Sequence, residues 1–399
     1  MGTLASFLAA VGAALFAIPV GVLFLEVVAA VTLARQTPPP SANKNARLRL
    51  AVLVPAHNES TGLLPTLADI RPQLRAGDRL LVVADNCIDD TASVAAAAGA
   101  EVVVRSDLKR IGKGYALQWG LQHLGADPPG IVIVIDADCR VADSAIDRLA
   151  ATCTLTGRPV QGLDLMTAPD QSGVNRKVAE FAWRVKNWVR PLGLSALKLP
   201  CPLMGTGMAF PWEVLSGANL ATENITEDIM LGLDLASAGH FAVFCPGAVV
   251  TSQFAATAHG VESQRNRWEQ GHVSMILEGM PRFLATAIAR RNWNLLALTL
   301  DMAVPPLSLL AMLVVGMFLI AGLASLLGLA PVALIISTAS CLLFFISAVI
   351  AWLKFGREVL PARAILSIPA YALGKAGLYR RIFSRRDAAR WVRTDRTKS

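Results

Sequence analysis

Two aspartates one residue apart, Asp136 and Asp138, end the most strand-like segment of the chain, "IVIVIDADC". Like charges held that close repel and raise each other's proton affinity unless something cationic sits between them. A divalent Mg²⁺ or Mn²⁺ answers that problem, because such hard ions take carboxylate oxygens from a protein and keep positions for substrate phosphates. The bland alternative is that one aspartate caps the next helix through its backbone N–H groups. A second acidic pair, Glu227 and Asp228, follows Thr226 in "NITEDIMLGLDLASAG" and on its own reads as acids in the first turn of a capped helix. Farther on, Gln264, Arg267 and Trp268 in "GVESQRNRWEQGH" fall at helical spacing on one face, as they also would on an ordinary amphipathic helix.

These residues need a scaffold to aim them. From Leu48 to about Gly130, the runs "LRLAVLVPA", "RLLVVAD", "AEVVVR" and "IVIVIDAD" alternate with helix-length segments. Fully apolar strands separated by helices indicate an α/β fold whose mostly parallel sheet is covered on both faces. In open sheets of this kind the ligand crevice lies at the carboxyl ends of the strands. Polar residues stand at those ends: His57, Asn58 and Glu59 after the first strand, Asp85 after the second, Asp136 and Asp138 after the last. No GxGxxG follows the first strand and no GxxxxGK[ST] occurs anywhere, which argues against a dinucleotide enzyme or a P-loop NTPase. In "RIGKGYAL", Lys113 lies between glycines and either approaches a phosphate or starts a helix. "FAWRVKNWVRP", residues 181–191, mixes aromatic and basic side chains at helical spacing. It reads either as a segment against the membrane surface near the acceptor or as an ordinary surface helix.

The chain is 54% hydrophobic, and that excess is concentrated. Within residues 1–34 Glu26 is the sole ionisable side chain, and the run exceeds the roughly 20 apolar residues that cross a bilayer. A cleaved signal peptide is the alternative, but no basic n-region precedes the run. A proline-rich linker, residues 35–47, ends in basic residues (Lys44, Arg47, with Arg49 just beyond) that place the following domain, 48–280, in the cytoplasm. An interfacial segment (281–304) leads to a second apolar region, 305–353, which reads as a transmembrane hairpin. Arg290 and Arg291 precede it and Lys354 and Arg357 follow it, so both its ends are expected in the cytoplasm. Residues 354–379 carry Arg363, Lys375 and two prolines and are expected to form an interfacial helix. The tail, 380–399, holds eight Lys/Arg and is either a lipid-adhesive segment or a topology determinant. The net charge of +8 comes mostly from this tail and the arginines flanking the spans, so nucleic-acid binding gains little support. Six scattered cysteines show no metal-ligand spacing and are expected to be reduced thiols. The expectation is an integral protein of a bacterial inner membrane with a cytoplasmic catalytic domain.

Taken in order, Asp85 in "VADNCIDDTA", the DxD of Asp136 and Asp138, the "TED" of Thr226 to Asp228 and "QRNRW" resemble the membrane-bound family 2 inverting glycosyltransferases. That group includes cellulose, chitin-oligosaccharide, hyaluronan and poly-N-acetylglucosamine synthases. The resemblance implies a GT-A type nucleotide-sugar-binding fold with transmembrane helices and a nucleotide diphosphate sugar donor, UDP-linked by family default. It implies that Asp85 contacts the nucleoside with Pro55, His57 and Glu59 beside it, that Asp136 lies near the nucleotide sugar, and that Asp138 is the main metal ligand. Lys113 belongs with the nucleotide-binding set if it approaches a phosphate. Asp228 would be the general base supported by Glu227, and Gln264, Arg267 and Trp268 would bind diphosphate and frame the acceptor. "GTGMAF" resembles the segment that sets the acceptor beside the base, through Gly205, Thr206 and Gly207; a tight strand with glycine bulges is the alternative. The acceptor stays open between a growing polysaccharide and a lipid such as a ceramide, diacylglycerol, hopanoid or polyprenyl carrier. Three spans poor in polar side chains favour lipid-linked or short acceptors, or a homo-oligomer or partner that builds any pore. A non-catalytic scaffold would have lost the base or a metal ligand, and this chain keeps Asp138, Asp228 and Arg267.

Overall fold

The computed structural model describes residues 2–34, 47–168, 173–222, 226–255 and 258–384. The linker 35–46 and most of the basic tail, 385–399, lie outside the described residues. In chain order, α1 (Gly2–Thr32) leads to β1 (Leu50–Ala56), α2 (Leu64–Ile70), β2 (Arg79–Asp85), α3 (Thr91–Ala97), β3 (Glu101–Arg105), α4 (Lys113–Leu124) and β4 (Ile131–Val134). Next come β5 (Arg140–Val141), α5 (Ala145–Thr156), β6 (Val160–Thr167), α6 (Val174–Arg184), α7 (Arg190–Ala196), β7 (Met208–Pro211) and α8 (Trp212–Ser216). Then follow α9 (Glu227–Ser237), β8 (Val243–Gln253), α10 (Ala258–Ser274), α11 (Met280–Ala289) and α12 (Trp293–Met302). The chain ends in α13 (Leu307–Leu326), α14 (Pro331–Ala351), α15 (Ala362–Ile365), α16 (Ile368–Gly374) and α17 (Ala376–Ser384).

The strands form one mixed sheet in the order β3-β2-β1-β4-β7-β6-β8-β5. The four strands read from the apolar runs are β1 to β4, all parallel. Because side chains alternate along a strand, each feeds two cores. Leu50, Val52, Val54, Val82, Ile131 and Ile133 pack with α2 and α5, whereas Leu53, Leu81, Val83, Val132 and Val134 pack with α4 and α9. Burial on both faces explains the unbroken apolar runs. β7 returns antiparallel to β4 with Val134 opposite Met208, so the residues entering β7 meet those leaving β4. That reversal sets Gly205 to Gly207 against Asp136.

Three helices, α1, α13 and α14 with its continuation to Gly356, are long and apolar enough to cross a membrane. Val20, Leu23, Val27, Val314 and Phe344 pack among them, while Leu15, Leu319, Leu323 and Leu342 point outward. The buried hydroxyls of Ser337, Ser340 and Ser347 donate to carbonyls of their own helix, at Leu334, Ile336 and Leu343. Residues 354–379, expected as one interfacial helix, form instead the end of a π-turn (Trp352–Gly356) followed by α15, α16 and the start of α17. Pro361 stands just before α15 and Pro369 in the first turn of α16, positions where proline starts a helix and cannot continue one.

The segment 181–191 is no surface helix. A π-turn, Val185–Val189, joins α6 to α7, and Arg190 behind it is buried between α1 and α12. Its guanidinium donates to Glu26 of α1 (2.9 Å) and to Asp301 of α12 (2.6 Å), tying the lone charge of the first apolar helix to the rest of the molecule.

Candidate active site at the strand ends

At the carboxyl end of β2, Asp85 is buried and its Oδ1 accepts from Arg105 Nη1 (2.6 Å) and Asn86 Nδ2 (3.2 Å). Register explains the pairing, since Asp85 lies directly opposite Arg105 on β3. Burial lifts the Asp85 carboxyl above its usual range, against the pull of Arg105 and His57. His57 donates from Nδ1 to the Asp85 carbonyl (2.7 Å), and the Glu59 backbone N–H donates to Thr91 Oγ1 (2.9 Å). Pro55, His57, Glu59 and Asp85 thus line one end of the crevice. Arg105 belongs with them, and the sequence reading missed it. Its one signal was its place at the end of "EVVVR", which acquires meaning only once β3 is known to flank β2.

Other acidic residues gather around Lys113. Gly114 explains the second glycine of "RIGKGYAL": a Cβ there would fall 2.2 Å from the Leu220 carbonyl, so only glycine lets α4 seat this closely. Lys113 opens α4 and points back into the crevice, where its ammonium pairs with Asp136, donates to the Gly205 carbonyl (2.7 Å) and lies 3.8 Å from Glu227 Oε1. Lys113 therefore starts a helix, and the groups its ammonium meets within the protein are carboxylates and the Gly205 carbonyl. Burial alone would depress the ammonium, but Asp136, Glu227 and Asp228 together hold it above the ordinary lysine range. Thr206 is buried, and its Oγ1 accepts from the Asp136 N–H (3.0 Å). Gln161 anchors the same turn by donating to the Thr206 carbonyl (2.8 Å).

Thr226 stands at the N-cap of α9, with Glu227 and Asp228 in its first turn. The Thr226 side chain makes no capping hydrogen bond to that turn, which opens onto Lys113 and Gly205. Gly205 has φ +90°, which L side chains rarely adopt, and a Cβ there would meet Asp228 Oδ2 at 3.3 Å. Burial raises both carboxyls of the pair, Glu227 up to about 8, with Lys113 opposing at Glu227 and Lys186 and Lys113 opposing at Asp228. Asp138, two residues after Asp136, is half-buried. Among the described residues no three His, Cys, Asp or Glu side chains stand together as a metal cage. One or two hard carboxylates at a crevice fit an ion that completes its shell with substrate phosphate oxygens, as Mg²⁺ and Mn²⁺ do.

Gln264, Arg267 and Trp268 share α10, as their spacing predicted. Gln264 is buried with its Oε1 lacking a hydrogen-bond partner among the described residues, and Trp268 packs on Trp183 of α6, ring centroids 4.9 Å apart. A second contact was invisible in the sequence. Glu269 on the same helix pairs with Lys375 and accepts from Tyr379 (2.6 Å), and Tyr379 meets Ser308 (2.8 Å) at the start of α13.

A mixed α/β sheet with acidic residues at these strand ends and helices on both faces is a GT-A-like glycosyltransferase fold. The family model described as "Glycosyltransferase like family 2" matches residues 47–271, more than half of the chain, and the chain belongs to that family. Uncharacterized glycosyltransferases of Mycobacterium bovis and Mycobacterium tuberculosis are 39% identical over 144 residues, 36% of this chain. The match spans 55% of those relatives' own length. Among solved structures, the mannosyltransferase PcManGT from Pyrobaculum calidifontis, in complex with GDP-Man and Mn²⁺, is similar with a TM-score of 0.52 and 19% identity. The similarity covers 93% of this chain and 98% of that one. Glucosyl-3-phosphoglycerate synthase from Mycobacterium tuberculosis, in complex with Mn²⁺, UDP and phosphoglyceric acid, matches 53% of this chain and 69% of its own. Its TM-score is 0.35 and its identity 25%.

Proposed function

We propose that the protein is a membrane-anchored inverting glycosyltransferase that moves a hexose from a nucleotide diphosphate sugar, UDP-linked by family default, to a hydroxyl acceptor. The observation that carries this reading is the convergence of Asp136, Lys113, Gly205 and the Glu227–Asp228 pair at the end of β4. Pro55, His57, Glu59 and Asp85 bind the nucleoside, and Asp136 faces the nucleotide sugar. Asp138 holds Mg²⁺ or Mn²⁺, which when bound offsets the negative charge of the diphosphate. Gln264, Arg267 and Trp268 hold the diphosphate and frame the acceptor. With Glu227 raised to about 8 by burial, its carboxyl keeps a proton at neutral pH. Asp228 is then the carboxylate that accepts the acceptor's proton. Attack opposite the leaving group converts an α-linked donor into a β-glycoside.

The catalytic domain lies in the cytoplasm, with α1, α13 and α14 in a bacterial inner membrane. A lipid-borne acceptor fits these spans better than a polymer does, because the buried serines of α14 are satisfied within their own helix and line no polar path. The test is to incubate membranes bearing the protein with a panel of labelled nucleotide sugars. Label is expected in the lipid extract, and Asp228→Asn is expected to lower transfer about 10²–10⁴-fold while nucleotide binding persists. Full activity in that variant would overturn the base assignment. Label retained in polymer would favour a polysaccharide synthase, and no transfer from any donor a non-catalytic scaffold.

A further inference from the structure

The π-turn Val185–Val189 widens the helix between α6 and α7, a feature that recurs at functional sites. Here it turns Lys186 into a cavity behind the "TED" turn. The walls are the strand-entry residues Leu203 and Met204, Ile229 and Leu233 of α9, and Leu298 and Met302 of α12. Most other polar groups of the cavity have partners, although among the described residues the buried Asn187 Oδ1 has none. Arg190 and Asp301 pair with each other, Asn187 donates to Asp164 (2.8 Å), and His272 donates from Nε2 to the Met302 carbonyl (3.0 Å). Lys186 is different. Among the described residues it makes no hydrogen bond and no ion pair, and its nearest aromatic partner is the Trp183 ring, 5.4 Å from the ammonium. Burial depresses this amine and the charge of Asp228 opposes the shift, so the two groups are electrostatically in reach of one another. Lys186 is half-buried, and an ammonium partly withdrawn from water without a close counter-charge is unfavourable, so a ligand that supplies the counter-charge lowers that penalty.

The cavity is therefore polarised. Lys186 stands at one end, near Ile229 and Gly232 of the helix whose first turn carries Asp228, and apolar residues of α12 at the other lead through a short connection to the span α13. We propose that it is the acceptor subsite for an amphiphile that carries a phosphate next to its reacting hydroxyl. Lys186 pairs the phosphate, the hydroxyl lies at Asp228, and the lipid chain runs past Leu298 and Met302 toward the membrane. This inference rests on the glycosyl-transfer reading and narrows its acceptor. The bond from the sugar's anomeric carbon to the diphosphate oxygen breaks, and the diphosphate leaves with the electron pair. The bond to the acceptor oxygen forms, and the hydroxyl proton goes to Asp228. The acceptor's own phosphate is a handle and does not react.

The experiment is equilibrium binding to the full chain in neutral-detergent micelles, using wild type, Lys186→Gln and Lys186→Arg. The probes are dioctanoylphosphatidylglycerol, a short-chain lipid diphosphate sugar, dioctanoylglycerol and inorganic phosphate. Wild type is expected to bind at least one phosphate-bearing lipid ten-fold or more tightly than dioctanoylglycerol; which one separates a glycerophospholipid from a lipid diphosphate source. Lys186→Gln should erase that preference and Lys186→Arg should keep it, with unfolding temperatures reporting that both variants are folded. No preference in wild type, a preference that survives in Lys186→Gln, or inorganic phosphate binding as tightly as the lipids would overturn the proposal. Because binding needs no donor, the result is independent of turnover. Transfer to neutral lipids without a phosphate preference would sink this inference alone, whereas absence of transfer from every donor would sink the underlying reading.

Discussion

A buried carboxylate that must be ionised to accept a proton works against its own surroundings, and Asp228 shows how the site manages that conflict. Burial raises its carboxyl, while Lys186 and then Lys113 pull it back. On the proposed reading Asp228 acts as base only when deprotonated, so activity is expected to fall as pH drops through its folded value. A raised value puts that acid limb above about 3.9, the ordinary aspartate position. Lys186→Gln removes the larger opposing charge and should move the limb to still higher pH. The check is the pH profile of kcat/KM for both proteins; a wild-type limb at or below the ordinary value, or an unmoved limb in the variant, would refute the account. The acids here were legible from residue type and order alone. Their balancing cations were not, because Lys113 and Lys186 reach Asp228 from distant segments that no spacing rule connects.

At the scale of elements, α10 is held from outside the catalytic sheet. Its face with Gln264 and Trp268 meets α6, while Glu269 is gripped by Lys375 and Tyr379 from the helices after the last span. Tyr379→Phe deletes one hydrogen bond to a carboxylate, an interaction worth about 1.5–3 kcal/mol. Lower unfolding stability by that order is expected, with a higher KM for the nucleotide sugar as α10 loosens. Thermal unfolding in detergent and donor kinetics measure both, and a variant unchanged in each would show that the clamp does not position α10. The prolines of residues 354–379 announced that this stretch does not span. That it breaks into short helices docked on the catalytic domain follows from where Glu269 and Ser308 lie in three dimensions.

For the molecule as a whole, membrane and catalytic parts are joined through charge as well as apolar packing. Glu26, Arg190 and Asp301 come from three separate regions and meet in a buried triad. Arg190→Met would leave two buried carboxylates without their cation, and removal of one partner from such a pair costs about 3–5 kcal/mol. Glu26→Gln, which keeps Arg190 and Asp301 together, is expected to cost less; denaturation of both variants in the same detergent decides, and equal losses would contradict the triad's role. Composition and order determined much about this protein by themselves. Apolar length marked the three long helices, because only a run of that length spans hydrocarbon. Unbroken apolar strands marked the doubly covered sheet, and ordered acidic motifs marked its strand ends, because both signals are local. Only the tertiary structure decided which cation answers which acid, that Arg105 faces Asp85, that the 181–191 segment is an internal seam, and that Lys186, among the described residues, stands without a close partner near α9. Those facts depend on strand register and on helices brought together from far apart in the chain, and neither is written in any single stretch of residues.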